Sequence, residues 1–305
     1  MRRIDLIRLC SLAAIWGASF LLMRLIAPVL GPIWTADLRV GIAGLVMLLF
    51  MLLRAQTIDV RRNWREYLLM GTFNSALPAV LFSFAALTLP AGYSAILNAT
   101  SPLWGALIGA LVLGESLHWK KLLGLFCGIA GVALLVRLGP VQFSNAVLLA
   151  ALACVAASVC YAGSGAYAKL RSSGIAPNRM ATGSQLGAAL VLLPALPLAP
   201  PHAAPTLQIA LLMVLLAVLC SAVAYFLYFR LIADIGPTKS LTVTFLIPLF
   251  ALLWGAVFLH ETVNWITLFG CTMVILATWL VTFGSPATTA GATPNRPQRG
   301  RTGAN

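Results

Sequence analysis

The sequence predicts an all-α integral membrane protein with ten transmembrane helices, arranged as two inverted five-helix repeats. Three observations lead to this prediction: the composition, an internal repeat at a spacing of 146 residues, and the distribution of basic residues. Hydrophobic residues make up 61% of the 305 residues, charged residues make up 9%, and the mean hydropathy is +0.96. These values are far from those of soluble domains, so we expect a membrane protein without a soluble catalytic domain.

Ten apolar segments are long enough to cross a bilayer, whose hydrocarbon core needs about 20 residues of helix. They lie near residues 5–27, 33–53, 66–88, 91–113, 119–137, 145–169, 176–198, 206–231, 237–259 and 264–283. The first segment follows Arg2 and Arg3, as the apolar region of a secretory signal does. Because it is long for a signal and leads within a few residues into the next segment, we interpret it as the first transmembrane helix.

The stretches 102–136 and 248–282 repeat each other. They are identical at 12 of 35 positions, where this composition would give roughly three or four matches by chance. The matched residues set backbone geometry and helix ends: Pro102, Gly109, Glu115, Trp119 and Gly124 recur as Pro248, Gly255, Glu261, Trp265 and Gly270. The repeat predicts a first five-helix unit over residues 1–140 and a second over 141–284. A polar, basic tail over 285–305 is expected to be disordered and cytoplasmic.

The basic residues predict the orientation of the chain in the membrane. If the N-terminus is cytoplasmic, the inner segments hold 17 of the 20 basic residues, as the positive-inside rule requires. The net charge of +13 is therefore interpreted as a topology signal and not as a nucleic-acid footprint. Five helices per repeat is an odd number, so the second repeat is inverted, with Glu115 facing the cytoplasm and Glu261 facing outside. Inverted repeats are a recurrent architecture of secondary transporters.

The same spacing extends upstream of the well-matched stretches, with weaker identity. Arg39 aligns with Gln185, and Asn74 and Ser75 align with Cys220 and Ser221. With a slip of one residue, Trp16 aligns with Tyr161 and Arg24 aligns with Lys169.

Four segments carry a family resemblance. They are the opening IWGASFLLMR, the second-helix stretch ADLRVGIAGLVMLL, and the pair SPLWGALIGALVLGESLHWKKLLG and IPLFALLWGAVFLHETVNWITLFG. The chain resembles the EamA-type family of the drug/metabolite transporter superfamily from about Leu6 to Phe283. The resemblance implies a ten-helix carrier of two inverted repeats that usually exports amino acids or other small metabolites. The sequence departs from the family where the Gly before the Glu, present as Gly114, is His260 in the second repeat.

Two prolines near mid-membrane predict helix kinks. Pro102 and Pro248 each free the carbonyl four residues earlier, which belongs to Asn98 or Thr244. Because such groups are costly in hydrocarbon, they should face protein or a water-filled cavity. We expect Asn98, Ser101 and Thr244 to line a central pocket. The alternative is that these groups only satisfy one another at the kinks.

Aromatic and charged residues within the spans supply further candidates. Trp16, Tyr161 and Tyr225 each belong to a stripe of residues at helical spacing on their own predicted helix. These stripes are interpreted either as substrate contacts or as helix contacts. Arg39 either meets a substrate carboxylate or anchors its helix, since Asp37, two residues away, cannot face it. The predicted substrate-binding residues are Trp16, Arg39, Asn74, Asn98, Ser101, Tyr161, Gln185, Tyr225 and Thr244.

Two further pairs receive structural interpretations. Glu115 and Glu261 are each followed by an N-cap residue type, Ser116 or Thr262, so their carboxylates are expected to stabilise helix ends. Gly124 and Gly128 form a GxxxG step that serves either packing within the chain or a homodimer.

The remaining residues exclude several function classes. All six cysteines lie inside predicted spans without CxxC spacing, and the three histidines stand far apart, so neither a metal site nor a cofactor is predicted. A nucleophile motif or carboxylate pair is lacking, which argues against an enzyme. The predicted function is a secondary transporter of small metabolites in a bacterial-type inner membrane, working by alternating access around a midplane cavity, with membrane lipid as its surroundings. The alternative is a flippase for lipid-linked or larger amphiphilic molecules, which needs a lateral groove with basic headgroup contacts.

Overall fold

The computed structural model describes residues 2–138, 141–171 and 174–283, and within these ranges all regular elements are helices. The predicted tail over 285–305 lies outside the described residues. The α-helices are α1 (Arg3–Leu53), α2 (Val60–Gly71), α3 (Leu77–Ala85), α4 (Ala91–Asn98), α5 (Ser101–Leu113), α6 (Trp119–Leu138), α7 (Asn145–Arg171), α8 (Pro177–Leu192), α9 (Leu207–Ala217), α10 (Ala224–Ile235), α11 (Pro237–Ser240), α12 (Val243–Leu259) and α13 (Trp265–Phe283).

Seven helical segments of the described chain are long and apolar enough to cross a membrane, and α12 is a shorter apolar helix. The first of them, α1, has 51 residues, about 75 Å of helix, which is more than twice the thickness of a bilayer core. Gly31 divides it, with φ 76° and ψ 162°, a backbone conformation outside the helical region that glycine adopts without a Cβ clash. The parts of α1 before and after Gly31 are therefore two distinct helical segments.

Two π-helical segments continue the spans of α2–α3 and α9–α10. They cover Thr72–Ala76 and Val218–Val223, and their first residues are separated by the 146-residue spacing of the repeat. A π-helical turn holds an extra residue and occurs frequently at functional sites. The two segments contain the aligned pairs Asn74 with Cys220 and Ser75 with Ser221.

The two predicted proline kinks differ from each other. Pro102 lies in the first turn of α5, after a break in the helix at Ala99 and Thr100, whereas Pro248 lies inside the continuous helix α12. The hydroxyl of Thr278 donates to the Ala99 carbonyl oxygen at 2.8 Å, so this break is satisfied by a neighbouring helix. The second repeat breaks earlier, at residues 241–242 between α11 and α12.

The glycines of α6 pack against α13 of the same chain. A Cβ added at Gly124 would lie 2.8 Å from the carbonyl oxygen of Ala277, and one added at Gly131 would lie 3.2 Å from that of Gly270. Gly128 faces Leu103 and Ala277 in the same interface. The face proposed for either packing or a homodimer is thus occupied within the chain, which favours the intramolecular interpretation.

The turns that follow α5 and α12 have the same geometry despite the exchange of Gly for His. Gly114 has φ 66° and ψ 21°, and His260 has φ 53° and ψ 31°. In each turn the next backbone N–H, from Glu115 or Glu261, donates at 3.1 Å to the glycine carbonyl six residues earlier. His260 therefore occupies the left-handed region, which residues other than glycine adopt at a cost, and the loop geometry is preserved.

Candidate functional site

Arg39 lies within the second segment of α1, eight residues after Gly31 and so about 12 Å along the helix from that turn. Its Nε donates to the Ser221 hydroxyl oxygen at 3.1 Å, and its Nη1 is 3.5 Å from the Met23 sulfur. Among the described residues it forms no ion pair. A cation in a transmembrane segment normally faces the bundle interior and marks a functional site.

Asn74 and Ser221 bring the two π-helical segments to the same place. The Asn74 Oδ1 accepts a hydrogen bond from the Ser164 hydroxyl at 2.9 Å, and the Asn74 side chain lies close to that of Tyr225. Ser221 and Tyr225 follow each other by one turn of the span that contains α10. We call the six residues Arg39, Asn74, Tyr161, Ser164, Ser221 and Tyr225 the central cluster, since Tyr161 and Tyr225 both lie within electrostatic reach of Arg39.

Aromatic rings adjoin the central cluster. The rings of Trp16 and Tyr228 are 5.3 Å apart, and those of Phe20 and Phe82 are 5.4 Å apart. Phe82 stacks on Tyr161 at 6.2 Å, which connects the rings to the cluster. These four residues, Trp16, Phe20, Phe82 and Tyr228, form what we call the aromatic wall.

The long axis of this site follows from helical spacing. Trp16 and Met23 are seven residues apart on α1, and Ser221 and Tyr228 are seven residues apart on the facing span. Met23 and Ser221 contact Arg39, whereas Trp16 and Tyr228 contact each other. Seven residues of helix rise about 10 Å, so the site has a cationic end and an aromatic end separated by roughly that distance.

Four predicted site residues lie outside these contacts. Gln185 is buried on α8, and its Oε1 accepts no hydrogen bond from the described residues. The hydroxyls of Ser101 and Thr244 each donate at 2.7 Å to a carbonyl three residues earlier, those of Asn98 and Leu241. The substrate-binding roles of all nine predicted residues stay predictions. The structure brings Arg39, Asn74, Tyr161 and Tyr225 into the central cluster and places Trp16 in the adjoining aromatic wall.

The Glu261 side chain, in the turn after α12, contacts the beginning of α4. Both of its carboxylate oxygens accept from the backbone N–H of Ala91, at 3.0 and 3.1 Å, at the beginning of α4. Arg24 lies within electrostatic reach, yet burial raises the pKa of the Glu261 carboxyl above its ordinary value. The helix end that this carboxylate stabilises therefore belongs to the first repeat. The following helix α13 is capped by Asn264, whose side chain accepts from Thr267 N at 2.9 Å, and not by Thr262 as expected.

Glu115 occupies the equivalent position at the opposite end. It pairs with Lys169 at 3.2 Å and with Lys121 at 3.9 Å, and its side chain is 40% exposed. A Cβ added at Gly109 would lie 2.9 Å from its Oε2, and a Cβ added at Gly255 would meet the Glu261 carboxylate in the same way. The repeated glycine thus makes room for the repeated glutamate to fold back over its own helix.

An apolar cavity of about 550 Å³ lies beside the Gly31 turn. It is lined by Gly31, Pro32, Ile33, Val80, Leu81, Phe84, Ala199, Pro200 and His202. His202 is the one ionisable side chain in this lining. The cavity is chemically distinct from the central cluster and offers no arginine or lysine.

Sequence reasoning missed three contributors to the site: Ser164, the contact of Met23 with Arg39, and the two π-helical segments. A signal for the π-helical segments was present in the alignment of Asn74 and Ser75 with Cys220 and Ser221. A signal for Ser164 was also present, because it aligns with Ser19 at the slipped spacing that pairs Trp16 with Tyr161, and both hydroxyls donate to the carbonyl three residues earlier.

Comparisons with known proteins agree on one family. The EamA-like transporter family model matches residues 5–137 and 148–283. The chain is 26% identical to the uncharacterized transporter YvbV of Bacillus subtilis, with 93% of each chain covered, and 27% identical to the uncharacterized inner membrane transporter YedA of Escherichia coli K12, with 90% of each covered. It is 28% identical to protein PecM of Dickeya dadantii, with 88% of each covered. A solved crystal structure shares its fold with a TM-score of 0.63 at 19% identity, over 92% of this chain and 96% of that one.

Proposed function

Because the chain belongs to the EamA-like transporter family, we propose that it is a secondary transporter of small metabolites such as amino acids, with export as the favoured direction. Membership of the family makes it a multi-pass membrane transporter similar to bacterial inner-membrane proteins and not an enzyme. The observation that carries the finer proposal is Arg39, a cation without an ion-pair partner among the described residues, which lies eight residues after Gly31 in a cluster of hydroxyl, amide and aromatic groups.

A ten-span, inverted-repeat architecture is part of this proposal. Division of α1 at Gly31 raises the number of apolar segments, and α8 and α12 are short spans of 16 and 17 residues. The π-helical segments, the left-handed turns and the glutamates recur at the repeat spacing. Their agreement supports two equivalent units, which is the architecture that lets two halves exchange conformations in a carrier.

The proposed orientation places both termini in the cytoplasm. The Glu115 side is then internal, since it carries Lys120, Lys121 and Lys169 together with Arg61 and Arg62 at the beginning of α2. The Glu261 side is then external. Alternating access would connect the central cluster first to one side and then to the other.

Counterflow in proteoliposomes tests the carrier proposal. Vesicles loaded with a mixture of amino acids should exchange radiolabelled amino acid from outside, and a comparison with and without a pH gradient reports proton coupling. Arg39→Gln, which copies the residue at the equivalent position in the second repeat, should lower exchange at least about tenfold because a charge-assisted contact is lost. The variant must elute from gel filtration and unfold as the wild type does. Unchanged exchange by a folded Arg39→Gln protein would contradict the proposal.

One observation favours the flippase alternative, namely the apolar cavity beside Gly31. The lining of this cavity counts against it, because lipid headgroup recognition uses arginine and lysine and neither lines the cavity. Translocation of a fluorescent phospholipid between leaflets of reconstituted vesicles, without amino-acid counterflow, would support the alternative.

A further inference from the structure

We propose that the central cluster binds organic monocarboxylate anions with an apolar body, and that it selects them over zwitterionic amino acids and over amines. This inference rests on the proposed carrier function, and it replaces amino acids, the examples given there, with monocarboxylates as the preferred small metabolites.

The first argument is the charge of the cluster. Arg39 supplies one positive charge, and its hydrogen-bond partners, the Ser221 hydroxyl and the Met23 sulfur, carry none. Its Nη2 makes no hydrogen bond to the described residues, so part of the planar guanidinium edge is available to a carboxylate. One bound carboxylate would leave the site without net charge, which is the favourable condition in a low-dielectric region.

The second argument concerns the ammonium group that an amino acid would bring. Asp37, the acidic residue nearest to Arg39 in sequence, lies one turn before Gly41 on α1, and Gly41 packs against Ala189 of α8. Residues four apart share a helix face and residues two apart do not, so Asp37 lies on the α8 side of α1, away from Arg39, where its Oδ1 is buried without a hydrogen-bond partner among the described residues. The Asn74 Oδ1, which accepts from Ser164, is a neutral acceptor. An ammonium beside Arg39 would therefore lose its water without gaining an anionic partner on that face of α1.

The third argument is the position of the aromatic wall. Trp16 and Tyr228 lie about 10 Å from the Arg39 end, as the seven-residue spacings on both spans require. A ligand with its carboxylate at Arg39 would direct its other end toward these rings. An aryl or alkyl group joined to the carboxylate by two or three carbons fits this length.

Binding to the purified full-length chain in lipid nanodiscs tests the proposed selectivity with three probes that share one ring. 3-Phenylpropionate carries only the carboxylate, phenethylamine carries only the amine, and L-phenylalanine carries both. We expect 3-phenylpropionate to bind at least about tenfold more tightly than L-phenylalanine, and phenethylamine not to compete, because one charge-assisted pair without an unpaired ammonium separates them. Equal or tighter binding of L-phenylalanine would overturn the inference.

Variants assign the two ends of the ligand. Arg39→Gln should weaken 3-phenylpropionate at least about tenfold, and Arg39→Lys should restore part of the affinity because the charge is kept. Trp16→Ala should weaken 3-phenylpropionate and leave propionate, which lacks the ring, unchanged. Trp279→Ala is the matched control, since Trp279 is 51% exposed on α13, and it should change neither ligand. An Arg39→Gln protein that binds 3-phenylpropionate as the wild type does would overturn the assignment.

The outcomes separate this inference from the carrier proposal. If a folded wild-type protein exchanges labelled amino acids and does not prefer 3-phenylpropionate, the substrate class is wrong and the carrier stands. If 3-phenylpropionate binds as expected but no labelled metabolite, including 3-phenylpropionate, undergoes counterflow, the site is correct and the carrier proposal fails.

Discussion

The Glu261 end and the Glu115 end of the molecule are built from equivalent residues but packed differently. About ten residues before Glu261, α12 packs so closely on Gly17 of α1 that an added Cβ would be 2.9 Å from the Phe250 Cβ and 3.0 Å from the Ala251 backbone nitrogen. Gly105 of α5 aligns with Ala251, and Gly163 lies on α7 one residue after the position that aligns with Gly17 at the slipped spacing. An added Cβ at Gly105 or at Gly163 would have no neighbour within 4 Å, so the same change meets a tight contact in one place and free space in the other.

The two glutamates follow the same division. Glu261 is withdrawn from solvent against the beginning of α4, whereas Glu115 is exposed and pairs with exposed Lys169. Equivalent residues at the two ends therefore differ in exposure: the Glu261 carboxylate is half-buried against α4, and the Glu115 carboxylate is exposed.

The largest expected effect compares Gly17→Ala with Gly163→Ala. Gly17→Ala should destabilise the protein by about 2–3 kcal/mol, because the methyl group overpacks a backbone contact. Gly163→Ala should be neutral or stabilise by up to about 1 kcal/mol, because alanine is the better helix former where space is free. Unfolding in mixed micelles, followed by far-UV circular dichroism, measures both. Similar losses of unfolding free energy for the two variants would mean that Gly17 and Gly163 are packed alike.

A smaller effect is expected from the glutamates. Glu261→Ala should cost about 1–2 kcal/mol, because the N–H of Ala91 loses its acceptor at a partly buried helix end. Glu115→Ala should cost less than about 1 kcal/mol, since an exposed ion pair contributes little. The same unfolding measurement applies to both variants, with Glu261→Gln as the control that keeps an acceptor. Equal losses of unfolding free energy for the two variants would contradict the difference in burial between Glu261 and Glu115.

The smallest expected effect is a pH dependence at the Glu261 end. Because the pKa of Glu261 is raised in the folded protein from its ordinary 4.5, the folded state binds more protons than the unfolded state between the two values. The stability contribution is therefore complete below about 4.5 and is lost as the pH rises through the folded pKa. The Tm of the wild type minus that of Glu261→Gln should fall over this interval and then level off. A difference that rises with pH would contradict the burial of this carboxyl.

Several features were predictable from the sequence because they depend on local chemistry. Hydropathy predicted a membrane protein of many apolar helices, and seven helical segments of the described chain, with the shorter α12, are apolar in this way. The matched prolines, glycines and glutamates identified the repeat, and the family model then matched nearly the whole chain. Arg39, Asn74, Tyr161 and Tyr225 were candidates because polar groups in hydrocarbon are costly unless they face a shared interior.

Other features required the packed structure. Gly124 and Gly128 were compatible with a dimer until α13 was found against them. The N-cap of α13 is Asn264 and not Thr262, two residues earlier, because the exact helix end depends on where the chain re-enters the bundle. The predicted pair Pro102 and Pro248 also proved unlike, one beginning a helix and the other lying within one.

By itself, the sequence determined the membrane class, the internal repeat and the polar residues that the spans contain, since each follows from composition and from spacing along the chain. The tertiary structure decided which of those residues meet: Arg39 with Ser221, Asn74 with Ser164, and Glu261 with the beginning of α4. These contacts join residues 90 to 182 positions apart. Their formation depends on how the helices cross and where their turns are interrupted, and the equivalent residues Glu261 and Glu115 accordingly differ in burial.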